Sequence, residues 1–158
     1  MTSSFRAQLN KAYETKVEQK LDNVVRGTAL AVFNQLVYNT PVGNPDLWLH
    51  NTGTSENPVY GHFLTYSHAD GYVGGQAKAS WHLDINNIDV RVMEPGYDND
   101  SEAALRVKTH KLGDKVQIAT SIPYMKRLND GWSTQQPAGF IERSIQVGVL
   151  QGKEMAKR

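Results

Sequence analysis

The chain contains no cysteine, and this absence limits its chemistry at once. Disulfide bonds, zinc–thiolate sites and thiol catalysis are excluded. No stretch approaches the roughly 18 consecutive apolar residues that a membrane span requires, so we expect no membrane partner. Seventeen basic and sixteen acidic residues leave a net charge of +1, which draws the molecule neither to nucleic acid nor to an anionic membrane surface.

Length and composition favour a single domain. A chain of 158 residues can bury a sizeable core without support from metals or disulfides. Only 39% of the residues are hydrophobic, which indicates a modest core, long polar loops, or apolar surface buried between subunits. We therefore interpret residues 1–158 as one domain.

The first forty residues lack proline, and their apolar residues recur mostly at every fourth position, which predicts a long amphipathic helix. Gly27 offers a point for a break or a change of face. Before it, charges flank a narrow apolar row, so we interpret residues 4–26 as a projecting arm. The charges are typical of a solvated face, and packing on a neighbouring subunit is the alternative. The apolar positions are Phe5, Leu9, Tyr13, Val17, Leu21, Val24, Val32 and Leu36.

Beyond this helix the sequence predicts turns and strands. Pro41 disfavours the helical conformation for the residue before it, so the helix should end near Thr40. The segment 49–70 has no regular period and is interpreted as an inserted loop. Alternation of apolar and polar residues then predicts three strands. These strands cover residues 79–86, 88–93 and 115–122.

Two further helices complete the expected fold. A short helix runs through residues 101–112, and a C-terminal helix covers 138–157, with Pro137 suited to its first position. The connection 123–137 is expected to be irregular or helical. The predicted class is α+β, with the long N-terminal helix packed on a small, mostly antiparallel sheet and followed by a C-terminal helix.

The stretch "GYVGGQAKASW", residues 71–81, raises the possibility of a phosphate-binding loop. Such a loop needs Ser or Thr after its lysine and a helix after that. Alanine follows Lys78, and we expect a strand there. The glycines are better interpreted as a turn, in which Gly74 and Gly75 supply backbone freedom before Trp81 enters the core.

Histidines and carboxylates in the middle of the chain suggest a second alternative, a small metal-dependent enzyme. Its candidate ligands are His62, His68, Asp70 and His82. The spacing of the first two histidines fits neither a helix nor a hairpin ligand pair, and His82 shares a strand face with Asp84, so surface positions are expected. No G-x-S-x-G elbow is present. We therefore expect no catalytic residue, no bound metal and no cofactor.

Basic residues form only small clusters. Sequence-specific recognition of nucleic acid is not expected, because the clusters are sparse and not interleaved with aromatic residues. Diffuse contact with a phosphate backbone stays open. The candidates for an interface or a DNA-facing surface are Lys78, Lys108, Lys111, Lys126 and Arg127.

Three segments together resemble a known family. They are "NTPVGNPDLW" (39–48), "GYVGGQAKASWHLDIN" (71–86) and "IATSIPYMKRLNDGWSTQQPAGFIERSI" (118–145). Their order and spacing are similar to those of the tail-completion, or neck, proteins of tailed bacteriophages, also described as minor tail or head–tail connector proteins. The matching positions are Thr40, Pro41, Val42, Gly43, Gly74, Gly75, Lys78, Trp81, Pro123, Tyr124, Leu128, Gly131, Ser133, Gln135, Pro137 and Gly139. The departures are Ser121, Met125, the pair Asn129-Asp130 and the length of the insert 49–70.

The resemblance implies a structural virion protein rather than an enzyme. It implies a homo-oligomeric ring, usually sixfold, assembled in the host cytoplasm and placed at the head–tail junction. Its partners would be the portal, adaptor or head-closure proteins on one side and the tail terminator or tail tube on the other, with a channel for DNA. A tail-terminator role is the close alternative. In this interpretation Trp81 and Tyr124 anchor the sheet to the helix.

Overall fold

The computed structural model describes residues 2–43, 74–133 and 135–157. Its fold is α+β, as predicted, with a long N-terminal helix, a two-stranded antiparallel sheet and a C-terminal helix. The insert 49–70 lies outside the described residues. In chain order the elements are α1 (Thr2–Asn39), α2 (Gln76–Ala79), β1 (His82–Ile85), α3 (Asn99–Val107), β2 (Val116–Ala119), α4 (Met125–Arg127), a π-helical turn (Leu128–Trp132) and α5 (Phe140–Ala156).

Helix α1 is continuous through Gly27, so the break that this glycine offered does not occur. A methyl group there would meet only the Cε atom of Met155, at 3.6 Å, so packing does not require a glycine. Residues 4–20 are exposed on every side of the helix, and full burial begins only near Ala31. Thus α1 combines a core half with a half that has no packing partner in the described chain.

The main partner of α1 is α5, which runs antiparallel to it. A Cβ atom added to Gly148 would lie 2.4 Å from the Cα of Val32, and one added to Gly152 would lie 2.1 Å from the Oγ1 of Thr28. These contacts leave no room for a side chain, so the two glycines allow the helix backbones to approach closely.

The sheet pairs β1 with β2 from His82 opposite Ala119 to Ile85 opposite Val116. Helix α3 packs on β1, and both contribute to a core shared with the C-terminal half of α1. Apolar burial is what holds these elements together. The buried members of this core are Phe33, Leu36, Val37, Ala77, Trp81, Leu83, Ala103, Val107, Ile122, Met125 and Phe140.

The strand predicted over 88–93 is absent. Side chains hold this segment in place of a backbone ladder: the Met93 amide donates to Ser80 Oγ at 2.9 Å, and the Ser121 hydroxyl donates to the Val90 carbonyl at 2.7 Å. The Arg91 amide donates to Asp89 Oδ1 at 2.9 Å. The segment alternates like a strand, but side chains occupy the backbone groups that would pair.

Several boundaries also differ from prediction: α3 ends at Val107 rather than at residue 112, and β2 covers only Val116–Ala119 of the predicted 115–122. A four-residue helix, α2, follows Gly75 in the stretch expected to be a turn, and β1 begins at His82 rather than at the predicted residue 79. Helix α5 begins at Phe140, three residues later than a start at Pro137 would give, because Gly139 precedes it in a left-handed conformation with φ of 77°. Among the described residues, no helix is both long and apolar enough to cross a membrane.

Candidate functional site

The first and second sequence segments meet at the end of α1. The indole Nε1 of Trp81 donates a hydrogen bond of 2.7 Å to the hydroxyl of Thr40, which in turn donates to the Leu36 carbonyl at 2.7 Å. Both Thr40 and Trp81 are almost fully buried, and Pro41 is buried beside them. Asn99 adds a further bond at this contact, because its side-chain amide donates to the backbone carbonyl of Trp81 at 3.2 Å.

The glycines of these two segments also touch. A Cβ atom on Gly74 would lie 1.6 Å from the carbonyl oxygen of Gly43, so the two backbones are in direct contact. Gly75 has a φ of 113°, a left-handed conformation that favours glycine, and it directs the chain into α2. The prediction that these glycines form turns thus gains a second reason, which is the close approach of the backbones.

The third segment reaches the same place through Gln135. Its side-chain oxygen accepts from the Val42 amide at 3.1 Å, and its side-chain nitrogen donates to the Val42 carbonyl. The Gln135 side chain thus binds both the backbone N–H and the backbone C=O of Val42, as a neighbouring strand would. All three segments that carry the family resemblance therefore converge around residues 40–43.

The remaining motif positions lie at or near the surface. Tyr124 is 40% exposed and is not one of the buried core residues, whereas Ile122 and Met125 on either side of it are. Pro123 and Pro137 are exposed. Gly131 has a φ of 88° and packs against Ala138, which closes the turn before α5.

Asn129 is a structural residue at a position where the sequence departs from the family. Its side-chain oxygen accepts from the Ile141 amide at 2.9 Å, and its side-chain nitrogen donates to the Glu142 carboxylate at 3.0 Å. The Gly139 amide donates to its carbonyl at 2.7 Å. Asn129 thus accepts hydrogen bonds from backbone N–H groups at the start of α5, which have no partner within that helix.

The candidate basic residues have different surroundings. Lys126 forms an exposed ion pair with Asp130 at 2.6 Å, and the Arg127 guanidinium lies 5.7 Å from the centre of the Trp132 ring. Lys108 and Lys111 are exposed after α3, whereas Lys78 is half-buried in α2. Exposed ion pairs contribute little to stability.

The expectation that His82 and Asp84 are surface residues is wrong, because both are buried. The Nε2 of His82 is hydrogen-bonded to the Arg91 carbonyl at 2.9 Å, and its Nδ1 lies 3.5 Å from Asp89. Asp84 accepts from the Ile85 amide at 2.8 Å. Both ring nitrogens of His82 thus face partners within the chain, which leaves neither free for a metal.

Metal ligation gains no support elsewhere in the described ranges. They contain no group of three or more histidines and carboxylates that could hold a metal ion. His62, His68 and Asp70 lie outside the described residues. His110 is almost fully buried and is hydrogen-bonded to Asp22, and its carbonyl accepts from Arg26, so this histidine fastens the end of α3 to α1.

A charged network fastens the segment 88–93 to α3. Arg91 donates to Asp89 and, at 2.8 Å, to Glu102. The hydrogen bond from Arg91 lowers the pKa of Asp89 to about 2. Burial raises the pKa of Glu102, but hydrogen bonds from Tyr97 and Arg91 outweigh that effect, so the pKa is lowered overall.

An apolar row along the exposed half of α1, which we call the arm ridge, is not covered by any other element of the described residues. Every fourth residue from position 5 to position 37 is apolar, and the end of the row, at Phe33 and Val37, is buried in the core. The six earlier members are between 37% and 71% exposed. The arm ridge consists of Phe5, Leu9, Tyr13, Val17, Leu21 and Val25.

Comparisons of this chain with protein-family models, with curated proteins and with solved structures found no match.

Proposed function

We propose that this protein is a structural subunit of the neck of a tailed bacteriophage. It forms a homo-oligomeric ring, expected to be sixfold, which joins the portal, adaptor or head-closure side to the tail terminator or tail tube and leaves a channel for DNA. It acts in the virion after assembly in the host cytoplasm. A tail terminator that caps the tail tube is the alternative role.

The observation that carries the proposal is the convergence of the three motif segments. Thr40 bonds to Trp81, Gly43 touches Gly74, and Val42 bonds to Gln135. Segments that resemble one family in order and spacing are thus also in contact in space. This contact supports the proposal, because the three segments form one packed unit.

The arm ridge supports the assembly part of the proposal. A soluble single chain rarely leaves an apolar row of six large side chains uncovered, whereas a subunit that buries the row against a neighbour has a reason to keep it. A cyclic ring repeats one contact around a rotation axis, so a single such surface can serve every subunit.

A small metal-dependent enzyme is less well supported. Both ring nitrogens of His82, one of its four candidate ligands, face groups of the chain itself. Metal analysis of tag-free protein, before and after the change His68→Ala, is the direct check on that alternative.

Two measurements test the proposal. Electron microscopy of the purified protein should show closed rings with a central opening, and mass spectrometry of purified virions should detect the chain at a stoichiometry of several copies per particle. A protein that is monomeric and absent from virions contradicts the neck role. Labelling of virions with an antibody to the chain separates a neck position from the end of the tail tube.

A further inference from the structure

We propose that the arm ridge is the contact between copies of this chain, and that neighbouring α1 arms lie parallel. The inference rests on the proposed ring, to which it assigns a contact surface and a direction. It is drawn from the exposure of the arm, the continuity of its apolar row with the core, and the placement of its charges.

Exposure and continuity identify the surface. The row that is buried at Phe33 continues toward the N-terminus without a missed step to Phe5, yet residues 4–20 are exposed and no other element of the described chain covers them. The half of the row inside the core is covered by the chain itself. The other half repeats the same spacing, which suits coverage by another helix.

The charges identify the occupant as a second copy. An α-helix advances by about 100° per residue. Around Val17 the acidic Glu14 and Glu18 therefore lie about 60–100° to one side of the ridge, and the basic Lys16 and Lys20 lie about 60–100° to the other side. The helix thus has one acidic flank and one basic flank, so it is complementary to its own copy.

This arrangement of charges does not stabilise an isolated helix. Glu14 and Glu18 are four residues apart, as are Lys16 and Lys20, and like charges at that spacing destabilise a helix. None of the four forms an ion pair within the described part of the chain. Like charges repel within each flank of one helix, but they become favourable when each flank lies against the oppositely charged flank of a neighbouring helix.

The direction follows from the same two flanks. When such helices lie parallel and side by side, the acidic flank of each adjoins the basic flank of its neighbour. When they are antiparallel, like flanks adjoin and repel. Parallel helices can be arranged around a rotation axis that runs along their length, with the acidic flank of each against the basic flank of the next, which is the symmetry of a cyclic ring.

Charge exchange in the full-length protein tests the contact. The double variant Glu14→Lys/Glu18→Lys makes both flanks basic, and Lys16→Glu/Lys20→Glu makes both flanks acidic. Each should raise the protein concentration at which the oligomer dissociates at least tenfold in low salt. The variant that carries all four changes exchanges the flanks and should restore association. Because these positions are exposed, circular dichroism should show the same folded core throughout.

Single cysteines test the direction, because the natural chain has none. In parallel arms Leu9→Cys should cross-link to itself. In antiparallel arms centred on Val17 it would cross-link to Val25→Cys instead. Thr15→Cys, on the opposite side of the helix, is the control and should remain uncross-linked.

The outcomes separate the contact from the ring. A wild-type chain that is monomeric at all concentrations overturns both. An oligomer whose mass is unchanged by either double variant overturns the arm contact and leaves the ring in place. Failure of the fourfold variant to restore association, or preferential cross-linking of position 9 to position 25, also overturns the parallel contact.

Discussion

Trp81 and Thr40 form the bond that joins the end of α1 to the start of the sheet. The indole nitrogen donates to the threonine hydroxyl at 2.7 Å, with both side chains buried. The chain between them includes the long insert, so this bond fixes the two sides of the insert relative to each other. Removing one partner of a buried hydrogen bond destabilises the fold when the other polar group is then left without a partner.

The first prediction concerns this pair. Thr40→Val should lower the free energy of unfolding by about 1–3 kcal/mol, since it leaves the buried indole nitrogen of Trp81 without a partner. Trp81→Phe should lower it by a similar amount, about 1–3 kcal/mol, because it removes this hydrogen bond and part of a buried side chain, although Thr40 keeps its bond to the Leu36 carbonyl. In the double variant the total loss should be smaller than the sum by about 1 kcal/mol. Thr40→Ser, which keeps the hydroxyl, is the control and should show a much smaller loss. Additive losses in denaturant titrations would rule out the coupling.

A second prediction compares three helical glycines. Alanine is favoured over glycine in a helix by about 1 kcal/mol, so Gly27→Ala, with space around it, should stabilise the protein by up to about that amount. Gly148→Ala and Gly152→Ala gain the same propensity but collide with α1, and should destabilise by about 1–3 kcal/mol. Chemical denaturation at fixed protein concentration measures all three, and equal signs would contradict the close helix contact.

A third prediction concerns the backbone contact beside the insert. Gly74→Ala places a methyl group 1.6 Å from the carbonyl oxygen of Gly43, so the backbone must move. We expect a loss of at least about 2 kcal/mol, in the range of other overpacked sites. Gly96→Ala is a useful comparison, because no atom lies within 4 Å there and only backbone strain opposes the change. A Gly74→Ala protein as stable as Gly96→Ala would refute the contact.

The fourth prediction is a dependence of stability on pH. Arg91 holds the pKa of Asp89 at about 2, below its ordinary value of 3.8. The stabilisation is therefore present above about pH 4 and is lost as the pH falls toward 2, because protonation removes the charge that Arg91 binds. Asp89→Asn should weaken the loss of stability in that range. An unchanged pH profile would show that the pair contributes nothing.

The sequence predicted those parts of the fold in which local pattern and burial agree. The long helix, its end before Pro41 and the burial of Trp81 follow from spacing and backbone chemistry. The segment 88–93 alternates like a strand, but its backbone groups are taken by side chains such as Ser80, a tertiary effect that no local pattern contains.

The sequence predicted the candidate site poorly where the burial of a residue depends on partners that are far away in the chain. His82 is polar and in a strand, which indicated the surface, yet the Arg91 carbonyl makes its burial possible. Gly148 and Gly152 are four residues apart, but that spacing becomes informative only when α1 is known to lie against α5. Gln135 matched a motif without any indication that it binds Val42.

The mass of the purified full-length protein in solution is the most direct test of the central claim. Light scattering over a range of concentrations should find one closed species, expected to hold six chains, that dissociates when Leu9→Gln and Val17→Gln are combined and persists with Thr15→Gln. Glutamine retains helix propensity, so the comparison isolates the arm ridge. A wild-type protein with the mass of one chain at every concentration would contradict the account.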